Sequence, residues 1–233
     1  MTQPAPIGAS LALVRLLHLA SPTLPIGAYS YSQGLEWGVG DGTIRDAASA
    51  QRWIGDLLDH VMPFGEGAMT WRLLSAVEHG DWSACGHWNA TFRASRETAE
   101  LSAETEQTGH SLMRLVGDLE LLDAEASGTL PALAPMTLPA AFALAARGFG
   151  VPAEAALTAY LWAWLENQVL CAMKLIPLGQ VAGQRMLLAL GGRVPGAVAT
   201  AQVIADDELS NFAPGLAIAS SRHETQYTRL FRS

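Results

Sequence analysis

Several small groups of residues have the types to do chemistry. His223-Glu224 pairs an imidazole with a carboxylate. A helical zinc-hydrolase site needs a second His four residues away on the same face, and none is there. Cys85 and His87 could offer two ligands to a soft metal, but the pair falls among aromatics on an expected core helix and reads as packing or surface. Asp206-Asp207-Glu208 could hold magnesium against a diphosphate, as in an all-α magnesium-dependent enzyme acting on a diphosphate substrate. That chemistry needs a second carboxylate cluster across a pocket, and the sequence has none; the acids precede a polar turn, Ser210-Asn211. A phosphate-cradling loop would be glycine-rich and end in Lys-Ser or Lys-Thr; Gly191-Gly192-Arg193 has neither the spacing nor the lysine. The serine elbow GxSxG is absent. Met69, Met113, Met136, Met173 and Met186 stand singly, as gap-fillers of a core rather than a thioether box. The reading is of a chain that is not an enzyme and calls for no metal and no cofactor.

Composition narrows the partners. Of 233 residues, 50% are hydrophobic and 15% charged, which supplies a large core with apolar surface to spare for an oligomer interface. A net charge of −8 makes nucleic acid an unsuitable partner, because phosphate binding needs clustered Lys and Arg. Between Arg96 and Ala126 eight acids face two bases, either a solvated helix face or a docking face for a basic partner. Two distant cysteines, Cys85 and Cys171, fit a reducing cytoplasm, and Met1–Gly8 has no signal-peptide pattern. Ala155–Ile176 is apolar enough to raise a membrane question. Glu166, Asn167, Gln168 and Lys174 would each be costly in lipid, so the run is read as a helix buried in protein, with no membrane involved.

The elements that would position any site are helices. Trp53, Ile54, Leu57, Leu58 and Val61 form one apolar stripe, with Thr43 and Asp46 as a capping-box-like start. Leu11–Ala20 and Gly67–His79 read as helices, the second stopped by Gly80; Asp81 can cap the next. A longer helix is expected from about Ser95 to Leu122, its stripe Leu101, Thr105, Thr108, Leu112, Leu115 and Leu119. Asp123–Pro135 is a linker candidate, Pro139 and Pro152 sit in first turns, Pro177-Leu178-Gly179 ends the Ala155–Ile176 helix, and Gly191-Gly192 ends the next. The expectation is an all-α, single-domain bundle of roughly eight to ten helices over residues 1–233, with 1–8 and 221–233 as mobile candidates.

Four segments carry a family resemblance. The first runs from Leu17-His18-Leu19-Ala20-Ser21-Pro22 through Pro25-Ile26-Gly27-Ala28-Tyr29-Ser30-Tyr31-Ser32-Gln33-Gly34-Leu35-Glu36. The second is Ser95-Arg96-Glu97-Thr98 with Gly109 and Ser111-Leu112; the third is Trp164–Gln168 through Lys174 to Gln180 and Gly183-Gln184-Arg185; the fourth is Ser221–Ser233. Together, in this order, they resemble the UreF family of urease accessory proteins. Ala28 stands where many members carry a second glycine, and His18 where Gln is frequent. The resemblance implies an all-α homodimer that joins a UreD/UreH-type accessory protein and the UreG-type GTPase to deliver nickel to the urease apoprotein, with GTP hydrolysis on UreG.

The signature residues have a physical reading of their own. Pro22 and Pro25 stiffen the loop, and Ser30 with Gln33 matches a capping box. Such a loop could present Tyr29, Tyr31 and Glu36 to a partner; alternatively the tyrosines plug the core and Glu36 faces solvent. Glu36 and Lys174 are expected to serve complex formation rather than folding. In the tail, His223, Tyr227, Leu230 and Phe231 would share one helix face beside Arg222 and Arg229, with Arg232 beyond. Tyr and Arg are frequent binding hot spots, and the family resemblance suggests that this tail orders on the UreD-type partner.

Overall fold

The computed structural model describes residues 8–233, and the helical period of the sequence becomes twelve α-helices there, with no strand among the described residues. Of the stretch 1–8 expected to be mobile, residues 1–7 lie outside the described residues. The helices are α1 (Ala9–Leu19), α2 (Leu35–Gly40), α3 (Ala47–His60), α4 (Glu66–His79), α5 (Trp82–Ala94) and α6 (Ala99–Asp118). They continue as α7 (Ala124–Thr129), α8 (Leu138–Phe149), α9 (Ala153–Leu175), α10 (Gly179–Gly191), α11 (Val194–Val203) and α12 (Pro214–His223). The all-α expectation is met; two helices of six residues each, α2 and α7, bring the number above the expected range.

Helix α9 is the axis of the fold because it is apolar on nearly every side. Its 23 residues include buried Leu157, Leu161, Trp164, Leu165, Val169 and Ala172, and α1, α2, α3, α4, α8, α10 and α11 all pack on it. Much of the apolar surface of Tyr160–Ile176 is used inside the domain, with Tyr160, Leu161, Trp164, Leu165 and Val169 all buried. Large apolar side chains left exposed include Leu13, Val14 and Leu17 on α1, Val181 and Leu188 on α10, Val203 at the end of α11, and Phe212, Ile218, Tyr227 and Leu230 around α12. Gly179–Val203 is long and apolar enough to cross a membrane by length and composition. In the fold it forms α10 and α11, whose Met186, Leu190, Val198 and Ala201 are buried.

Local signals set most boundaries. Gly80 and Gly150 end α4 and α8 in the left-handed conformation, and Asp81 caps α5 by accepting from the Ala84 N–H at 2.9 Å. The capping box of α3 lies three residues later than expected, between Asp46 and Ser49. Thr43 instead donates to Asp41. Helix α6 begins at Ala99, capped by Thr98, and ends at Asp118, so Leu119 lies beyond it and is exposed. The two polar members of its stripe have structural work. Thr105 Oγ1 accepts the Leu138 N–H at 3.0 Å, fixing the start of α8, and Thr108 bonds back to the Glu104 carbonyl at 2.7 Å. Gly109 lets the chain at Met136–Thr137 cross α6 closely: a Cβ there would lie 2.5 Å from the Met136 carbonyl oxygen. Asn89, buried on α5, completes this junction by donating to the Leu133 and Pro135 carbonyls.

Candidate functional site

The residues singled out in the sequence converge where the loop before α2, helix α6 and the chain after α12 meet. The loop is shaped by Gly27, Gln33 and Gly34, all at positive φ. Gly34 is the position with no alternative: a Cβ there would lie 2.9 Å from the Ser220 backbone nitrogen of α12. The expected Ser30–Gln33 capping box does not form. Ser30 ends a single turn of 3-10 helix, and Gly34 is the N-cap of α2.

The amphipathic helix expected over 223–231 does not form either. Helix α12 ends at His223, and the chain then turns back onto the loop. The Arg232 N–H donates to the Ser30 carbonyl at 2.7 Å, and the Ser233 main-chain oxygen accepts from the Ser32 N–H at 2.7 Å and its hydroxyl at 2.5 Å. Irregular backbone is held here by side chains, because buried N–H groups without helical partners must be satisfied somehow.

Glu36 does most of that holding. It is buried on α2, and its carboxylate accepts the Leu230 N–H at 2.6 Å, the Phe231 N–H at 2.8 Å and His223 Nε2 at 3.1 Å. The other ring nitrogen, Nδ1, faces Glu100 of α6 at 2.7 Å, and Glu100 also takes Arg229 at 2.6 Å. Each ring nitrogen of His223 thus lies within hydrogen-bond reach of a different carboxylate. The His223 ring and the Arg229 guanidinium are the basic groups that face Glu36 and Glu100, and carboxylates in a poorly hydrated site need such partners. The two nitrogens point to opposite carboxylates, so these groups do not converge on one point. Among the described residues no three His, Cys, Asp or Glu side chains are grouped to hold a metal ion.

A second polar layer lies beneath. Glu104 of α6 is buried and accepts from Gln33 Nε2 at 2.8 Å and the Ser233 hydroxyl at 2.9 Å. Burial pushes its carboxyl up to about 7, while the bonds from Gln33 and Ser233 pull the other way. Gln33 in turn accepts from Trp164 Nε1 at 2.9 Å. Glu66 of α4 takes the Tyr160 hydroxyl at 2.6 Å and Arg96 at 3.0 Å; burial and the Glu66 charge hold the Tyr160 phenol well above its ordinary range. Gln33, Glu66, Glu104, Tyr160 and Trp164 line a cavity of about 80 Å³ together with Leu24, Tyr29 and Phe142.

The candidates thus divide. Glu36, His223 and Phe231 are buried and form the socket and what fills it. Tyr31 is also buried, its hydroxyl donating to Gln107 at 2.7 Å and its carbonyl accepting from Asn167 at 3.0 Å. Tyr29 is half-buried and bonded to Glu166, and burial with that carboxylate raises its phenol. Lys174 is exposed, its ammonium 5.4 Å from the centre of the Phe231 ring. Arg222, Tyr227, Arg229, Leu230 and Arg232 face outward, and Tyr227 is fully exposed. The alternative of Glu36 as a solvent residue is corrected, since three donors from the tail enclose it. Sequence reasoning did not single out Ser32, Gln33, Glu100, Glu104 or Ser233 for this site. What they share is a polar side chain that the fold turns toward the tail, buried or partly buried, and only the fold reveals that.

The other chemistry-bearing groups are drawn into the fold separately. Cys85 is buried while His87 on the same helix is exposed, so the two do not face one point. Asp206 pairs with Arg72 at 2.6 Å, and Glu208 accepts the Ala205 N–H at 3.2 Å within its own turn.

Comparison with known proteins shows the family of the chain. The model of the UreF family matches residues 44–191. The urease accessory protein UreF of Azoarcus sp. (strain BH72) is 55% identical over 230 residues, covering 98% of this chain and 98% of that protein. Those of Janthinobacterium sp. (strain Marseille) and Dechloromonas aromatica (strain RCB) are each 52% identical, covering 95% and 96% of this chain and 98% of each protein. This chain belongs to the UreF family of urease accessory proteins.

Proposed function

We propose that the chain is a non-catalytic scaffold that works in the cytoplasm, as a homodimer, with a UreD/UreH-type accessory protein and a UreG-type GTPase to insert nickel into the urease apoprotein. The observation that carries this reading is the outer face of α12 and the tail. Phe212, Ile218, Tyr227 and Leu230 are exposed there, beside outward-facing Arg222, Arg229 and Arg232. Exposed apolar side chains rimmed by arginine mark protein-binding surfaces, and Tyr and Arg dominate binding hot spots. Residues 221–233 are the element offered to the UreD-type protein; they exchange their own socket for it or present Tyr227 and Leu230 from the seated position. The exposed apolar faces of α1 and α10 supply the surface for the second copy. The nickel and the nucleotide are cargo and fuel of the assembly and are handled by the partner proteins.

The test is reconstitution. Tagged chain should retain the UreD-type protein and, through that complex, the GTPase, and adding it to apo-urease with nickel and GTP should raise urease activity. Intact capture without any gain in activation, or activation without this chain, would sink the reading.

A further inference from the structure

The cavity among α4, α6, α8 and α9 combines aromatic rings with carboxylates. Four rings line it, Tyr29, Phe142, Tyr160 and Trp164, together with Glu66 and Glu104. Three of the rings are held by their neighbours. Phe142 and Tyr160 meet edge to face with centres 5.1 Å apart, the Tyr160 hydroxyl donates to Glu66 at 2.6 Å, and Trp164 Nε1 donates to Gln33 at 2.9 Å. The two carboxylates are balanced differently. Glu66 pairs with Arg96 at 3.0 Å. Glu104 is 8% exposed, and the side-chain donors that reach it are neutral, Gln33 Nε2 at 2.8 Å and the Ser233 hydroxyl at 2.9 Å. A carboxylate has about four lone-pair sites, so Glu104 keeps acceptor capacity beyond these two bonds. A cation is the group that completes a buried carboxylate, and aromatic faces attract one through their negative quadrupole.

We propose that this cavity binds a small primary alkylammonium ion, its nitrogen donating to Glu104 and its carbon lodged among the aromatic rings. Size selects the ligand. A dry cavity of about 150 Å³ holds benzene, so one of about 80 Å³ takes roughly two to four heavy atoms. Methylammonium and ethylammonium fall in that range. Hard metal ions fit the wall less well, since magnesium or calcium wants about six or more oxygen ligands and most of this lining is aromatic or aliphatic. The ligand has a way in, because Ser21 and Ala28 of the loop line the cavity and are partly exposed. This binding belongs to the chain alone and does not depend on which partner takes the tail.

Calorimetric titration of the whole chain with methylammonium chloride tests it, with sodium chloride at equal ionic strength as the blank. The work is done at about pH 8, above the value of about 7 to which burial raises the Glu104 carboxyl, so that the empty site is mostly ionised. Methylammonium should bind saturably, and tetramethylammonium, too large for the cavity, should not. Glu104→Gln keeps the size of the side chain and removes the charge; it should weaken methylammonium binding by about tenfold or more. Ala163→Leu fills the cavity from α9 without touching a charge and should abolish binding while far-UV circular dichroism stays unchanged. The proposal is overturned by any of three results: no saturable binding, equal binding of tetramethylammonium, or undiminished binding in either variant. Should Glu104→Gln fail to fold, Ala163→Leu and the size comparison decide between a cavity site and loose association of cations with an acidic surface.

Discussion

Helix α9 and the tail socket bury residues by opposite means. Around α9 the burial is of Leu, Val, Ala and Trp side chains from seven neighbouring helices, and its backbone satisfies itself. In the socket the backbone is irregular: the Glu36 carboxylate on α2 takes the Leu230 and Phe231 N–H groups, and Glu104 on α6 takes the Ser233 hydroxyl. The first kind of burial tolerates little change of volume anywhere along the helix. The second depends on a few charge-assisted hydrogen bonds, each replaceable by water if the tail lifts. Opening the socket would break a few hydrogen bonds and leave the apolar core closed.

The sharpest way to break this comparison is to damage each region by one residue. Leu165→Ala leaves a cavity in the wholly buried centre and should cost about 2–5 kcal/mol of global stability, read by denaturant unfolding. Glu36→Ala should cost less globally, about 1–3 kcal/mol at most, because the tail can lift and hydrate the stranded N–H groups. Its signature is local: residues 224–233 become sensitive to protease while far-UV circular dichroism is unchanged. If Glu36→Ala unfolds the chain as thoroughly as Leu165→Ala, the socket is core and the distinction fails.

Smaller changes refine the picture. Lys174→Ala removes the cation above Phe231 and should shift stability by no more than about 0.5–1 kcal/mol, with a modest rise in tail exchange. Tyr227→Ala should change stability least, within about 0.5 kcal/mol, since the side chain is fully exposed. Capture of the UreD-type protein should nevertheless fall sharply, by tenfold or more in affinity if Tyr227 is a hot spot. Undiminished capture would move the binding surface elsewhere, with Phe212 and Ile218 the next residues to test.

Much of the fold was legible in the sequence because helical periodicity, caps and glycine stops act over a few residues. The apolar run of α9, the Gly80 and Gly191-Gly192 stops and the Asp81 cap are local physics, and the all-α class follows from them. The family signature likewise pointed to the loop and the tail that meet at the site. What the local pattern could not show was which apolar surface would be covered, and by what. Tyr160–Ile176 has the composition of an interface, yet seven helices of its own domain close over it. His223, Tyr227, Leu230 and Phe231 have the spacing of a helix face, yet the Glu36 carboxylate, 194 residues from Leu230 in sequence, takes the Leu230 and Phe231 N–H groups and stabilises a turn instead. Spacing records what neighbouring residues would do alone. Burial of a carboxylate, the placing of a ring between two of them and the seat of a tail depend on groups brought together from distant parts of the chain, and the tertiary structure alone decides those.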